Sequence, residues 1–328
     1  MSTHLTRRIT MAAAVTAFAV SLSACGGSDG DEPSDQAGGK SGSGATHSVQ
    51  TAMGEVKVKN DPERVVVLDT DALDSAVTLG ITPVGATTAV ADTPFSTYLP
   101  EDKLKDIKPV GLIAEPNLEA IAALKPDLIL SSKVRDEKNY KSLSEIAPTV
   151  FSDTTGPNWR ANFELHADAL GKTAEAKTIA AGYDTRVKTL TTALGGPAEA
   201  KKTTFGFVRF VEGADTRLYL NDTFVGSVFG DLAVGRPANQ DKDGFSLDVS
   251  PEKMDEAEAD VIFYSTYGDA KKAKETEILG GPLWKNLTAV KEKTAFKVDD
   301  NLWMLGIGYT GAGLVLDEIE KNYGGAAG

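Results

Sequence analysis

The 328-residue sequence has little that could build a metal cluster or a nucleophilic catalytic site. It contains a single cysteine, Cys25, and three histidines, His4, His47 and His166. One cysteine cannot form a disulfide within the chain, so the fold must be stable through packing alone. Cys25 and the first two histidines lie near the amino terminus, which leaves His166 as the only such residue in the body. We therefore expect no His/Cys metal site.

Motifs for catalysis and nucleotide binding are also missing. No serine lies in a G-x-S-x-G motif, and no G-x-x-x-x-G-K-[ST] loop is present. The stretch "GIGYTG" (306–311) matches G-x-G-x-x-G, but only 17 residues follow it, too few for the acidic residue that a dinucleotide site needs. Tyr264 and Tyr267 could suggest ferric ligands, but nothing marks the further ligands, and we interpret them as structural. We therefore expect no catalytic residues. The alternative function, from the class of enzymes, is a tethered hydrolase that uses His166.

The amino terminus reads as an export signal. Residues 1–24 contain Arg7 and Arg8, then a short apolar run and small residues, a pattern too short for a membrane-spanning helix. Removing them takes away two positive charges, so the formal net charge of −13 becomes −15. An acidic body disfavours nucleic acid and anionic lipid as partners. We expect an exported protein that does not bind nucleic acid.

The segment after the signal predicts an anchor. Leu22-Ser23-Ala24-Cys25 resembles the lipobox of bacterial lipoproteins, which implies cleavage before Cys25 and lipid attachment to its sulfur. Residues 26–46 are rich in Gly, Ser and Asp and contain almost nothing to bury. Such a composition is typical of a flexible tether, and 25–46 is therefore predicted to be lipidated Cys25 and a linker.

The remaining chain alternates between strand and helix patterns in two blocks, 47–172 and 196–328. Apolar runs such as "RVVVL" (64–68) suit parallel strands that are buried on both faces. Between the blocks, 173–195, apolar residues recur every three or four positions, which indicates one long helix. The sequence predicts an α/β fold of two lobes with mainly parallel sheets flanked by helices, joined by this helix.

A helix–strand unit occurs twice, as "NLEAIAALKPDLILSS" (117–132) and "SPEKMDEAEADVIFYS" (250–265). Each copy has a predicted cap, Asn117 or Ser250, and a glutamate in its first turn, Glu119 or Glu252. A single glutamate there would be explained by the helix dipole. One glutamate at the same point in each lobe instead suggests a pair with a function.

These features together resemble the iron-siderophore substrate-binding lipoproteins of ABC importers. The resemblance rests on the signal, lipobox and tether, and on "VGLIAEPNLEAIAALKPDLIL", "LSEIAPTVF", "FVGSVFGDLAVGRPANQDKDGF" and "GPLWKNLTAVKEKTAFKVDDNLW". It covers nearly all of 48–324, and Arg209-Phe210 with "RPANQDKD" is most similar to hydroxamate binders.

The family resemblance implies a function and partners. It implies two lobes bridged rigidly by one helix, little lobe closure, and a ligand cleft between the lobes. The ligand would be a ferric siderophore, which supplies its own iron ligands, so no cofactor is expected. The protein would stand lipid-anchored outside the cytoplasmic membrane as a monomer, with Glu119 and Glu252 docking on the two halves of the permease dimer.

The resemblance also implies ligand-binding residues. Arg209 ends an apolar strand, and Arg135, after another strand, matches an arginine before "LSEIAPTV" in some relatives. Both would donate hydrogen bonds to an oxygen-rich ligand. Trp303 would form an aromatic wall of the cleft, and Tyr219 would add a hydroxyl donor. Where some hydroxamate binders carry an arginine before "EPNLE", this chain has Ile113. The same scaffold with cobalamin or haem as its ligand remains open.

Overall fold

The computed structural model describes residues 44–90 and 95–324. The predicted signal peptide (1–24), Cys25 and nearly all of the tether lie outside the described residues.

The strands occupy three sheets. They are β1 (Thr46–Thr51), β2 (Gly54–Lys59), β3 (Val65–Val67), β4 (Gly85–Thr88), β5 (Lys108–Leu112), β6 (Glu115–Pro116), β7 (Leu128–Ser132), β8 (Thr149–Ser152), β9 (Phe205–Val211), β10 (Thr216–Tyr219), β11 (Ser246–Val249), β12 (Val261–Tyr267) and β13 (Ala295–Lys297).

Helices follow most of the strands. They are α1 (Thr70–Thr78), α2 (Glu101–Leu104), α3 (Leu118–Ala123), α4 (Lys133–Asp136), α5 (Tyr140–Ile146), α6 (Trp159–Ala169), α7 (Thr173–Ala193), α8 (Pro197–Ala200), α9 (Phe224–Asp231), α10 (Glu275–Gly280), α11 (Pro282–Asn286), α12 (Thr288–Lys291), α13 (Asp300–Leu305) and α14 (Tyr309–Ile319). Short 3₁₀ segments cover Glu137–Asn139 and Pro251–Ala257, and a π turn covers Glu320–Gly324.

The N-terminal lobe contains a six-stranded sheet in the order β6-β5-β4-β3-β7-β8 with helices α1–α6. All neighbouring strands in it are parallel except β5 and β6. Strand β3 is buried along its whole length, as its apolar run predicts. The hairpin β1–β2 packs beside this lobe as a separate two-stranded sheet.

The C-terminal lobe contains a five-stranded sheet in the order β11-β10-β9-β12-β13 with helices α8–α14. Strands β9, β12 and β13 are parallel, whereas β10 and β11 are antiparallel to their neighbours. The short turn from β9 to β10 explains this difference, because a hairpin connection reverses the chain. The predicted two-lobed α/β fold is confirmed.

The aspartates of the repeated unit have matching structural roles. Asp127, before β7, accepts hydrogen bonds from the backbone N–H groups of Glu63 and Arg64, at 3.1 and 2.8 Å. Asp260, before β12, accepts one from Thr204 N at 2.7 Å. Each carboxylate thus secures the chain that enters the neighbouring parallel strand, β3 or β9. This role explains why the two copies share an aspartate at the same position.

The long helix α7 bears the expected periodic face. Ala176, Tyr183 and Leu190 are buried on it, and it packs against α6 of one lobe and α14 of the other. The helix ends where Gly195 and Gly196 adopt φ values of +89° and +86°, which residues with a Cβ rarely adopt.

Direct contacts also join the lobes. Trp159 Nε1 of α6 donates to Ser227 Oγ of α9 at 2.9 Å, and Arg160 forms an ion pair with Asp231 at 2.7 Å. Asp74 of α1 lies beneath the start of α14 and accepts hydrogen bonds from Thr310 N and Gly311 N. The lobes are therefore held together by buried and partly buried polar contacts as well as by α7.

One hydrophobic cluster spans both lobes. It includes Val65 and Val67 of β3, Phe207 of β9 and Trp303 of α13, all at most 1 % exposed. Smaller clusters lie on the far face of each sheet. Within the described residues no helix is long and apolar enough to cross a membrane.

Candidate functional site

A cleft lies between the lobes at the carboxyl ends of the parallel strands, where open α/β sheets place ligand sites. It consists of two adjoining basins. The first basin, about 220 Å³, is lined by Arg135, Thr155, Gly156, Pro157, Arg209, Asp222, Thr223, Phe224, Val225, Phe245, Trp303, Met304, Leu305 and Ile307. The second basin, about 270 Å³, is lined by Thr70, Leu73, Thr87, Thr88, Ala89, Val90, Phe95, Ser96, Thr97, Thr266, Tyr267, Gly268, Asp300, Asn301 and Leu305.

Size alone does not identify the site. A hollow of about 430 Å³ lies between α6 and α7, and one of about 560 Å³ lies within the C-terminal lobe. Neither is at the carboxyl ends of the strands. Each basin of the cleft is smaller than these hollows, but the first brings Arg135 of one lobe and Arg209 of the other together.

Arg209 is held at the boundary between the basins by Asp300. Its Nε and Nη2 donate to the two oxygens of Asp300 at 2.7 and 2.6 Å, and Ser265 Oγ donates to the same carboxylate. Burial lowers the pKa of Arg209, but the hydrogen bonds and charge of Asp300 outweigh it, so the pKa lies above its ordinary value. The guanidinium also lies 4.9 Å from the ring centre of Tyr267. Only part of its donor capacity therefore remains for a ligand.

Arg135 is the more open of the two arginines. Its side chain is 39 % exposed, and its Nε donates to Asp69 at 2.9 Å. Burial and the neighbouring Asp71 raise the pKa of Asp69 to about 6, although Arg135 lowers it. Within the described structure Nη1 and Nη2 of Arg135 form no other hydrogen bond. These two groups can donate to a ligand in the first basin.

Trp303 and Tyr219 lie deeper than the sequence predicted, and both are fully buried. The ring of Trp303 stacks on Phe207 and Phe263, and its Nε1 donates to Glu318. The hydroxyl of Tyr219 accepts a hydrogen bond from Arg209 Nη1 at 3.3 Å. Trp303 thus forms the floor of the first basin instead of an exposed wall, because its aromatic neighbours place it in the core.

Exposed apolar side chains supply the wall that the sequence analysis missed. The exposed large apolar residues of the described chain are Val90, Val134, Phe245 and Tyr267, which are 41 to 60 % exposed. Three of these line a basin, and Val134 precedes Arg135. Phe245 contacts Tyr219 with ring centres 5.1 Å apart. An aromatic residue after the polar turn "DKDG" was the available signal for Phe245.

Glu119 and Glu252 are exposed in the first turns of their helices. Asn117 caps the first copy, because its Oδ1 accepts from Ala120 N at 3.0 Å. Ser250 makes no such cap, and the second copy is a 3₁₀ helix in place of an α-helix. Lys253 has non-helical backbone angles, φ −117° and ψ 23°, which interrupt the second copy. Both glutamates remain available to an external partner.

His166 is unsuited to the hydrolase alternative. It is fully buried, its Nδ1 lies 2.9 Å from Ser75 Oγ, and burial lowers its pKa to about 4. A substrate outside the protein could not reach it. Among the described residues no group of three or more His, Cys, Asp and Glu is placed to hold a metal ion.

Comparison with known proteins shows which proteins this chain resembles. Residues 65–302 match the sequence pattern of the periplasmic binding protein family. The chain is 39 % identical over 315 residues to the probable siderophore-binding lipoprotein YfiY of Bacillus subtilis, covering 92 % of this chain and 94 % of that protein. It is 30 % identical over 278 residues to the achromobactin-binding periplasmic protein of Dickeya dadantii, covering 81 % and 88 %.

A solved structure supports the same relationship. Staphylococcus aureus SirA complexed with staphyloferrin B superposes with a TM-score of 0.76 at 35 % sequence identity. The alignment covers 84 % of this chain and 98 % of SirA.

Proposed function

Because the chain belongs to the periplasmic binding protein family, we propose that it binds a ferric siderophore outside the cell and delivers it to an ABC permease. In this proposal residues 1–24 are the signal peptide, and Cys25 is lipidated and followed by a tether to residue 46. The protein is a monomer, and its lobes 47–172 and 196–328, bridged by 173–195, hold the ligand between them. The protein performs no catalysis.

The observation that carries this proposal is the first basin, where arginines from both lobes meet beside exposed Phe245. A ferric siderophore already supplies six oxygen ligands, so its receptor needs donors for those oxygens and apolar walls. Arg135 offers two free donor groups, and Arg209 completes the polar side. Tyr219 and Trp303 support this side from beneath. Two structurally similar proteins, SirA of Staphylococcus aureus and FeuA of Bacillus subtilis, have been solved in complex with siderophores.

The charge of the basin favours a hydroxamate-type chelate of low net charge. Each arginine is already paired with an acid, Asp69 or Asp300, and Asp222 adds a further carboxylate to the lining. With three carboxyl groups against two guanidinium groups, these residues leave no net positive charge in the first basin. A ferric tricatecholate carries three negative charges and would find little compensation there, whereas a ferric trihydroxamate is neutral.

We expect delivery to depend on Glu119 and Glu252. Each is an exposed carboxylate on a different lobe, so the pair could contact arginines on the two halves of a symmetric permease dimer.

The first test is a fluorescence titration of the purified protein. Ferric trihydroxamates, ferric citrate, ferric tricatecholates, cobalamin and haem would each be added while the emission of Trp159, Trp284 and Trp303 is recorded. We expect saturable quenching with a sub-micromolar Kd for a ferric hydroxamate. Saturable quenching by cobalamin or haem alone would show that the ligand is not a ferric siderophore. Tighter binding of a ferric tricatecholate than of a ferric hydroxamate would refute the argument from the charge of the basin.

A further inference from the structure

The second basin has a different chemistry from the first. It lies on the other side of the Arg209–Asp300 ion pair, and the two basins share Leu305. Asp300 is its only charged lining residue among the described residues, and that carboxylate is already occupied by Arg209 and Ser265. The rest of the lining combines apolar side chains with hydroxyl groups. Such a surface suits an uncharged group that contains both methylene and hydrogen-bonding parts.

Two hydroxyl groups of this lining have no hydrogen-bond partner. Thr87 Oγ1, on β4 of the N-terminal lobe, and Thr266 Oγ1, on β12 of the C-terminal lobe, are both buried and unpaired in the described structure. The whole Thr87 side chain is only 6 % exposed. Buried hydroxyls are normally satisfied, and an unpaired one costs free energy, so each exception calls for an explanation. Here one such hydroxyl comes from each lobe to the same basin.

We propose that the second basin binds the uncharged backbone of the siderophore, that is, its amide- or hydroxyl-bearing methylene linkers, with Thr87 and Thr266 as hydrogen-bonding residues. This inference rests on the proposed function. Rotation about the Cα–Cβ bond exchanges the methyl and hydroxyl groups of a threonine, which turns an unpaired hydroxyl toward the basin at small cost. Pairing with a ligand amide then removes the penalty that the free protein carries.

Location supports the same assignment. A chelate core beside Arg135 and Arg209 in the first basin needs only to extend past the ion pair to enter the second. Phe95 and Leu73 offer apolar contact to methylene groups there, and Thr97 and Asn301, which bond each other at 2.8 Å, connect the two lobes across the basin. Ligand discrimination would therefore depend on linkers as well as on the iron centre.

The test compares two neutral ferric chelates that present the same hydroxamate oxygens to iron. Ferrioxamine E has amide and methylene linkers, whereas ferric tris(acetohydroxamate), kept intact by excess acetohydroxamate, has none. The variant Thr87→Val with Thr266→Val removes both hydroxyls and keeps the side-chain shape. The control, Thr185→Val with Thr189→Val, makes the same change at exposed positions of α7.

We expect the Thr87/Thr266 variant to bind ferrioxamine E at least tenfold more weakly and the compact chelate within twofold of the wild type. Its melting temperature without ligand should be equal or higher, since no hydrogen bond is lost. A lower melting temperature would contradict the unpaired state of the hydroxyls. Unchanged binding of ferrioxamine E, or equal losses for both chelates, would overturn the subsite while the proposed function stands. If the wild type binds neither chelate, the hydroxamate class fails and the subsite fails with it.

Discussion

At the scale of single residues, Arg209 is expected to contribute strongly to ligand affinity. Arg209→Ala removes a cleft donor and leaves the half-buried carboxylate of Asp300 without its arginine partner. Both effects disfavour an oxygen-rich ligand, so we expect at least tenfold weaker binding, or about 1.4 kcal/mol. Isothermal titration with the ligand found above measures the change.

The control for this prediction is Arg217→Ala. Arg217 lies opposite Arg209 in the β9–β10 pair and contacts Asp248, but it lines neither basin. An affinity loss of the same size in both variants would mean that Arg209 acts through the fold or the overall charge. An unchanged titration of Arg209→Ala would remove the residue from the site.

Asp74 predicts a dependence of stability on pH. Burial raises its pKa to about 6, although donors from Gly311, Thr78, Tyr98 and Thr310 oppose the shift. The carboxyl group of Asp74 therefore binds a proton more readily in the folded protein than in the unfolded chain. Its stabilising contribution is fully present below pH 4 and is lost as the pH rises through 6.

The measurement is the free energy of unfolding of wild type and Asp74→Asn between pH 4 and pH 7.5. Asn cannot titrate, so the advantage of the wild type should shrink as the pH rises, by up to about 3 kcal/mol. Asp248→Asn, at an exposed ion pair, serves as the control. A difference between wild type and Asp74→Asn that stays constant over this range would show that folding does not raise the pKa of Asp74.

At the residue scale, the sequence placed two arginines near strand ends, and their role in ligand binding stays a prediction. Arg209 was singled out at the end of an apolar strand and Arg135 by its place before "LSEIAPTV" in the family resemblance, and the structure brings both to one basin. Their partners Asp69 and Asp300 could not be foreseen. Asp300 lies 91 positions from Arg209 along the chain, and nothing in the sequence pattern announces that contact.

At the scale of structural elements, the repeated helix–strand unit predicts separate effects on binding and transport. The variant Glu119→Ala with Glu252→Ala changes only exposed carboxylates outside the cleft. We expect unchanged ligand affinity and abolished uptake of the radiolabelled ferric ligand by cells that carry this variant as their only copy.

The chain offers a matched control for this pair. Glu101 and Glu277 are also exposed glutamates in first turns, one in each lobe, on α2 and α10. Glu101→Ala with Glu277→Ala should leave uptake normal. Normal uptake by the Glu119/Glu252 variant would refute the docking role, and loss in both variants would point to net charge as the cause.

Element prediction was good for long periodic segments and poor for their fine geometry. The 3.6-residue period of α7 and the apolar run of β3 are local properties, so the sequence carries them directly. The second repeat reads like the first, yet it forms a 3₁₀ helix interrupted at Lys253. The antiparallel strands β10 and β11 were also missed, because their pairing depends on the rest of the sheet.

At the scale of the whole molecule, the lobes share one core. The cluster that includes Val65 and Val67 continues through Trp159 of α6 to Phe207 and Trp303 of the other lobe. Asp74 adds a buried polar link between α1 and α14. Sequence alone predicted two lobes, but it could not show that their cores are continuous, because that contact depends on how α6, α9 and α14 pack.

This continuity predicts that the lobes unfold together. Loss of one lobe would expose the shared cluster on the other, so a half-folded state would be strongly disfavoured. We expect one transition in urea, with the same midpoint by far-ultraviolet circular dichroism and by tryptophan fluorescence. Fluorescence reports on both lobes, since Trp159 lies in the first and Trp284 and Trp303 in the second. Two separated midpoints would show that the lobes are independent folding units, and that α7 and the contacts of Asp74 and Trp159 only tether them.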